Sequence, residues 1–157
     1  MKVKLVVIGK TEEPYLIKGM REYENRITRY LSLEVVEIPA LKNASHLSKQ
    51  EWKVKEAAKI RPVFTTSDIL ILLDEKGKEM TSVEFSSFLD KKFSSGSKNL
   101  VFVIGGPYGF DESVKKKAHF QLSLSKMTFS HQMVRLFFLE QLYRALTILR
   151  NEAYHHA

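Results

Sequence analysis

The chain has 157 residues and a mass of 18.2 kDa, so we expect one domain spanning residues 1–157. Hydrophobic residues make up 44% and charged residues 27%, which excludes a disordered, collagen-like or disulfide-scaffold protein. Cysteine is absent, which excludes thiol catalysis, zinc–thiolate sites and iron–sulfur clusters. The apolar runs are too short to cross a bilayer and no signal peptide is recognised, so we expect a cytoplasmic protein with no membrane partner.

The net charge of +7 is unevenly distributed. Residues 1–61 contain 13 Lys or Arg against 8 Asp or Glu, residues 62–125 contain 8 of each, and residues 126–157 contain 4 against 2. A positive excess favours a polyanionic partner such as a nucleic acid, although a solvated basic face is also common on small proteins. The charge alone leaves both interpretations open.

The hydrophobic pattern predicts strands that alternate with helices from end to end. The predicted strands are 2–8, 33–38, 68–74, 99–104 and 119–123, and the predicted helices are 13–31, 48–60, 81–93, 111–118 and 130–151. Capping-box patterns begin two of the helices, at Ser48 and Thr81, and a polar turn is expected around Gly77. This alternation is typical of an α/β domain with a mostly parallel sheet flanked by helices.

Three glycines, at positions 105, 106 and 109, follow the fourth predicted strand. Ligands of open α/β sheets bind at the carboxyl ends of strands, and glycine lets a ligand approach backbone N–H groups. The spacing G-G-x-x-G is neither a dinucleotide fingerprint nor a Walker phosphate loop, and no Asp or Glu lies between 113 and 139 to hold a ribose. The pattern therefore indicates a small-molecule site or a tight turn without a ligand.

A polar loop that enters the last predicted helix, residues 124–135, is the second candidate for chemistry. Residues 125–131 mix hydroxyls, a thioether, an aromatic ring and an imidazole, which is unusual for a surface connection. Ser130 is a candidate N-cap, which would place His131 in the first turn. A histidine there is more often structural than catalytic, so the residue types alone leave its role open.

Separated motifs in a fixed order give the chain a resemblance to a known family. They are LILLD at 70–74, VIGGPYG at 103–109, LSKMTFSHQMVR at 124–135, EQLYRA at 140–145 and the ending EAYH at 152–155. The chain resembles the RlmH family of the SPOUT superfamily, which are bacterial large-subunit rRNA pseudouridine N3-methyltransferases. The resemblance covers essentially the whole chain. Many members of that family have proline where Ser130 stands, a departure that concerns the entry to the last helix.

The resemblance implies a homodimer that binds S-adenosylmethionine in a C-terminal trefoil knot of this α/β fold. It assigns cofactor binding to the following residues: Leu73, Gly105, Leu124, Ser125, Lys126, Met127, Thr128 and Phe129. It also implies that Arg144, Tyr154 and His155 are catalytic, with His131 and Arg135 ranked second. No metal is implied, because the sulfonium already activates the methyl group, and the general base is left unassigned.

By the same resemblance, the reaction is methyl transfer to N3 of a pseudouridine in 23S rRNA, within the large subunit or the assembled ribosome.

Apolar residues extend most of the way round the last helix, which favours a dimer interface there: Val134, Leu136, Phe137, Phe138, Leu139, Leu142, Leu146 and Leu149. Two other classes stay open. A non-catalytic RNA-binding module explains the charge but not the loop motifs, and a nucleotide-dependent oxidoreductase lacks its fingerprint.

Overall fold

Short apolar segments separated by amphipathic ones fold here into a layered α/β structure, given by a computed structural model that describes residues 2–96 and 99–156. The strands are β1 (Lys2–Ile8), β2 (Ser32–Ile38), β3 (Ile69–Glu79), β4 (Leu100–Ile104) and β5 (Phe120–Ser123). The helices are α1 (Pro14–Ile27), α2 (Lys49–Ile60), α3 (Ser82–Ser94), α4 (Glu112–Lys115) and α5 (Met133–Leu149), with a 3₁₀ turn at Arg61–Val63. None of these helices is long and apolar enough to cross a membrane.

The strands form a sheet in the order β2–β1–β4–β3–β5, and every neighbouring pair is parallel. The predicted class, an α/β fold with a parallel sheet flanked by helices, is therefore confirmed. The central strand β4 is apolar throughout, as are residues 5–8 of β1 and 69–73 of β3, which is typical of strands covered by helices on both faces. Phe102 packs on Phe138 on the face covered by α1, α3 and α5, while Val103 packs with Ala57 and Val114 on the face covered by α2 and α4.

Two predicted capping boxes begin α2 and α3. The hydroxyl oxygens of Ser48 and Thr81 accept the N–H groups of Glu51 and Glu84, each at 3.1 Å, and the two glutamate carboxylates accept the cap N–H groups in return. The helix α1 ends at Ile27, four residues before the predicted limit, because the chain must turn back to enter β2. The pattern of apolar residues continues past that end because Tyr30 and Leu31 pack on the core from the turn.

The strand β3 is longer than predicted, and the turn expected around Gly77 is not found. The chain stays extended to Glu79, and the pairing with β5 shifts register so that Leu73 and Lys78 both pair with Leu122. This irregularity brings Gly77 against the backbone of β5, where a Cβ atom would lie 2.7 Å from the carbonyl carbon and oxygen of Gln121. Glycine is therefore required by a close backbone approach rather than by a turn.

We expect Gly77→Ala to lower the free energy of unfolding by about 1–3 kcal/mol, because the methyl group can be accommodated only by moving β5. Urea denaturation of both proteins measures the difference. Lys76→Ala, at the exposed neighbouring position, is the control and should change stability by less than about 0.5 kcal/mol. Equal unfolding midpoints for Gly77→Ala and the wild type would contradict the close approach.

Candidate functional site

The carboxyl ends of β3, β4 and β5 lie at one edge of the sheet, where open α/β folds bind their ligands. A cavity of about 360 Å³ opens there, between the glycine turn after β4 and the loop that leads into α5. Its lining includes residues from β3, the glycine turn and the loop: Leu73, Asp74, Glu75, Gly105, Gly106, Phe110, Leu124, Ser125, Met127, Thr128, Phe129, His131 and Val134.

Seven of the eight residues expected to bind the cofactor line this cavity, although they come from three separate segments of the chain. They are Leu73, Gly105, Leu124, Ser125, Met127, Thr128 and Phe129. Lys126 is exposed and is not part of the lining. Contact of these residues with a cofactor stays a prediction, but the geometry places them where a ligand could touch them together.

Hydroxyl groups set the shape of the loop at 124–129. Ser123 donates a hydrogen bond to the carbonyl of Ser125 at 2.8 Å, and the Ser125 hydroxyl accepts the N–H of Met127 at 2.9 Å. Thr128 donates to the Glu75 carboxylate at 2.8 Å, which fastens the loop to β3. The unusual hydroxyl content of this segment is therefore used for loop geometry, while Phe129 forms an apolar wall.

The glycine turn after β4 is attached to α2 through a buried carboxylate. The Gly106 N–H donates to Oε1 of Glu56 at 3.2 Å, and Nε1 of Trp52 donates to Oε2 at 2.9 Å. A Cβ atom on Gly106 would lie 2.7 Å from Cδ of Glu56, so this glycine faces the carboxylate. The Gly106 N–H is therefore already bonded within the protein and is not free to meet a ligand.

Sequence reasoning missed Glu56. It is 2% exposed, and its burial raises the pKa of its carboxyl above the ordinary value for glutamate. The sequence signal was a glutamate immediately before the apolar positions Ala57 and Ile60 that α2 buries against the sheet. A charged side chain on a buried helix face needs polar partners; one of them is Trp52 on the same helix, and the other, Gly106, is 50 residues away.

The entry to α5 differs slightly from the predicted one. The Ser130 hydroxyl accepts the N–H of Met133 at 3.0 Å and its carbonyl accepts the N–H of Val134 at 3.1 Å, so Ser130 caps the first turn. The helix itself begins at Met133, and residues 131–132 form a turn. The side-chain amide of Gln132 donates to the Lys10 carbonyl at 3.1 Å and accepts the Glu12 N–H at 3.0 Å, which attaches the entry of α5 to the segment after β1.

Arg135 has a structural place rather than a place in the cavity. Its guanidinium is 1% exposed and donates to the carbonyls of Ile8 at 2.7 Å, Gly9 at 3.0 Å and His131 at 3.1 Å, and to the Thr11 hydroxyl at 3.0 Å. Burial lowers the pKa of this guanidinium. The side chain fastens the start of α5 to the end of β1, whereas His131 lines the cavity.

The three candidate catalytic residues lie together at the far end of α5. Nη1 of Arg144 lies 3.0 Å from Nδ1 of His155, and its guanidinium carbon lies 4.8 Å from the centre of the Tyr154 ring. Nε of Arg144 donates to Glu140 at 3.1 Å, and the Tyr154 hydroxyl lies 3.2 Å from that of Tyr23. Burial raises the pKa of Tyr154 well above its usual value, with the Tyr23 hydrogen bond adding to the effect.

This tail cluster, defined as Glu140, Arg144, Tyr154 and His155, is not part of the cavity lining. Arg144 lies ten positions after Val134, which corresponds to about 15 Å along an α-helix. A second cavity of about 400 Å³ is lined in part by Leu124 and Phe129. Of the four residues of the tail cluster, this lining includes Glu140 but not the other three. The structure therefore brings the cofactor candidates together and the catalytic candidates together, but it keeps the two groups apart within one chain.

Within residues 2–96 and 99–156, no three histidine, aspartate or glutamate side chains are grouped so that they could hold a metal ion.

A parallel sheet with a ligand-sized cavity at the strand ends, walled by a glycine turn and an ordered loop, is typical of α/β proteins that bind a small molecule. A family model described as "Predicted SPOUT methyltransferase" matches residues 1–155. Relatives from Parabacteroides distasonis and Flavobacterium johnsoniae are each 54% identical to this chain over 156 residues, and one from Porphyromonas gingivalis is 49% identical. Each comparison covers 99% of both chains, and each relative is named "Ribosomal RNA large subunit methyltransferase H". The chain belongs to the SPOUT methyltransferase family and, within it, to the RlmH family that its motifs indicated.

A solved structure of "a probable methylase family protein from Haemophilus influenzae Rd KW20" resembles this fold with a TM-score of 0.56. The match covers 95% of this chain and 66% of that one at 10% sequence identity. At this identity, the likeness concerns the fold alone.

We expect Arg135→Met to lower the free energy of unfolding by about 1–3 kcal/mol, because the buried carbonyls of Ile8 and Gly9 lose their donors. Arg135→Lys should recover only part of this loss, since an ammonium group cannot reproduce the planar fork. Chemical denaturation measures both. The exposed Arg29 supplies the matched control, and Arg29→Met should leave stability nearly unchanged. A small effect of Arg135→Met, equal to that of the control, would refute the structural role.

Proposed function

We propose that this protein is an S-adenosylmethionine-dependent methyltransferase that methylates N3 of a pseudouridine in 23S rRNA, on the large subunit or assembled ribosome in the cytoplasm. The observation that carries the proposal is the gathering of seven motif residues around one cavity at the strand ends. Family membership supports methyl transfer, and the names of the relatives support a large-subunit rRNA substrate. The pseudouridine, its N3 position and a trefoil knot around the loop at 124–129 rest on the family resemblance.

The residues around the cavity fit S-adenosylmethionine. Its volume lies in the range of small-molecule sites, and Leu73, Leu124 and Phe129 supply apolar walls suited to an adenine ring. Asp74 and Glu75 place carboxylates at the cavity, which favours a cationic sulfonium over the anionic pyrophosphate of a dinucleotide. When bound, the cofactor supplies a methyl group that is already activated by the positive sulfur.

The tail cluster suits the acceptor base. The imide N3 must lose its proton before it can attack, and a guanidinium such as that of Arg144 favours the resulting anion. His155 and Glu140 hold this guanidinium from two sides. The Tyr154 hydroxyl is protonated at neutral pH, as tyrosine ordinarily is, and can donate a hydrogen bond to a base carbonyl.

The separation between the cavity and the tail cluster supports a homodimer in which the tail of one subunit completes the cavity of the other. The helix α5 leaves Phe137 and Leu149 each 37% exposed, and Phe129 beside the cavity is equally exposed and packs on Phe137. Exposed apolar side chains of this kind suit a second copy of the chain. The basic excess of residues 1–61 would then contact rRNA phosphates and make binding sensitive to salt.

Calorimetry should show that the purified protein binds S-adenosylmethionine and its demethylated product, because the apolar walls of the cavity suit the adenosine part that the two share. NAD should give no binding heat. Heat with NAD but not with S-adenosylmethionine would favour the oxidoreductase class. RNA binding with neither cofactor would favour the non-catalytic RNA-binding module.

Deleting residues 153–157 should spare folding and cofactor binding but abolish methylation of ribosomes, because it removes Tyr154 and His155 from the tail cluster. Leu124→Trp should abolish cofactor binding by filling the cavity while leaving the tail intact. Mixing the two inactive variants should restore about a quarter of wild-type activity, since half of randomly paired dimers contain one complete composite site. Methylation is measured by mass spectrometry of rRNA nucleosides.

The controls are each variant alone, and light scattering to confirm that the mixed protein is a dimer. An active tail-deleted variant would exclude Tyr154 and His155 from the mechanism. A dimeric but inactive mixture would contradict the composite site and favour a route through the second cavity of the same chain. Ribosomes that carry uridine in place of the pseudouridine should be poor substrates.

A further inference from the structure

The buried carboxylate of Glu56 joins α2 to the glycine turn of the candidate cofactor site by a hydrogen bond. Both of its oxygens are used: Oε1 accepts the Gly106 N–H at 3.2 Å, and Oε2 accepts the indole N–H of Trp52 at 2.9 Å. The residue is 2% exposed, so these donors replace the water that a carboxylate would otherwise bind. The basic side chains nearest to it are those of Lys59 on α2 and His131 at the entry to α5.

Keeping a glutamate in this place is costly for stability, because burial of a carboxylate is unfavourable and a packed apolar side chain would fill the same space. What Glu56 does, and an apolar residue cannot do, is fix the direction of one N–H group in the turn. Gly105, the adjacent residue, lines the cavity and is a predicted cofactor contact. The peptide plane between Gly105 and Gly106 carries both the Gly105 carbonyl and the Gly106 N–H, so fixing the N–H also fixes the carbonyl.

We infer that Glu56 is a positioning residue that holds the peptide group between Gly105 and Gly106 in the orientation required for cofactor binding. Trp52 in turn orients Glu56 by occupying its second oxygen. The inference rests on the proposed function only in taking S-adenosylmethionine as the ligand of the cavity. The hydrogen bonds themselves belong to the protein without a ligand, so they can be tested separately.

The variant Glu56→Gln tests the inference because glutamine has one acceptor oxygen and one donor amide where glutamate has two acceptors. In either orientation of the glutamine amide, its NH₂ donor faces another donor, which is either the Gly106 N–H or the Trp52 N–H. One of the two hydrogen bonds is therefore lost. We expect about tenfold weaker binding of S-adenosylmethionine by calorimetry, in keeping with the loss of a hydrogen bond to a charged group. We also expect faster amide hydrogen exchange at Gly106 in the ligand-free protein.

The double variant Trp52→Phe/Glu56→Gln should recover most of the lost affinity and of the Gly106 protection. With the indole N–H removed, the glutamine can direct its NH₂ group toward the phenylalanine ring and its oxygen toward Gly106. Trp52→Phe alone completes the comparison, and it should bind the cofactor more weakly than the wild type does, because one oxygen of the buried Glu56 carboxylate then has no donor. If Glu56 only filled space, adding Trp52→Phe would not restore the cofactor affinity that Glu56→Gln had lost.

A second measurement uses nuclear magnetic resonance and no cofactor. The amide proton of Gly106 should titrate with the Glu56 carboxyl in the wild type, with a pKa above the ordinary glutamate value, because the carboxyl is desolvated. The titration should vanish in Glu56→Gln. Thermal denaturation of each variant confirms that it is folded under the conditions of the measurement.

Unchanged cofactor affinity in folded Glu56→Gln would overturn the inference, as would a double variant that binds no better than Glu56→Gln. Absence of any S-adenosylmethionine binding by the wild type would instead overturn the proposed function. In that case the exchange and titration of the Gly106 amide would still decide whether Glu56 holds the turn.

Discussion

The backbone groups at the carboxyl edge of the parallel sheet need partners once the strands stop pairing, and the rest of the structure depends on how they find them. This edge is covered by loops and the start of α5, so water cannot form hydrogen bonds with all of these backbone groups. Arg135 supplies donors to the carbonyls at the end of β1, and Glu56 supplies an acceptor to the turn after β4. Two buried charges thereby hold the frame in which the cavity is formed.

Neither charge has a direct ion-pair partner among the described residues, and both are satisfied by neutral hydrogen-bonding groups. Such an arrangement costs stability, but it resists rotation because each bond is directional. A methyl transfer has few chemical demands beyond alignment of donor, methyl and acceptor, so a rigid frame is the main contribution that the protein can make. The buried charges are therefore consistent with a site whose shape is set before a ligand arrives.

The sequence predicted what depends on local patterns. Strand bounds other than those of β3 agree within one residue, and both capping boxes formed, because apolar periodicity and side-chain capping act over a few residues. The extended path through Gly77 was missed, since it depends on a register shift against a strand more than forty residues away. The bonds of Glu56 to Gly106 and of Arg135 to the end of β1 were not predicted for the same reason, because these partners become neighbours only when the sheet has formed. The motif resemblance grouped eight residues, of which seven line one cavity, but it could not reveal that the tail cluster lies away from that cavity.

The separation between cavity and tail cluster constrains how the reaction can be completed. Two arrangements could join them: the tail could leave its position and move along its own chain, or a second subunit could bring its tail to the cavity. The first breaks the bonds of Tyr154 to Tyr23 and of Arg144 to Glu140 and exposes the groups that they satisfy. The second leaves every one of these bonds intact and covers the exposed rings of Phe129 and Phe137 as well. Docking of a preformed cluster therefore needs less reorganisation than its rearrangement, which is why we place the acceptor site between two chains rather than within one.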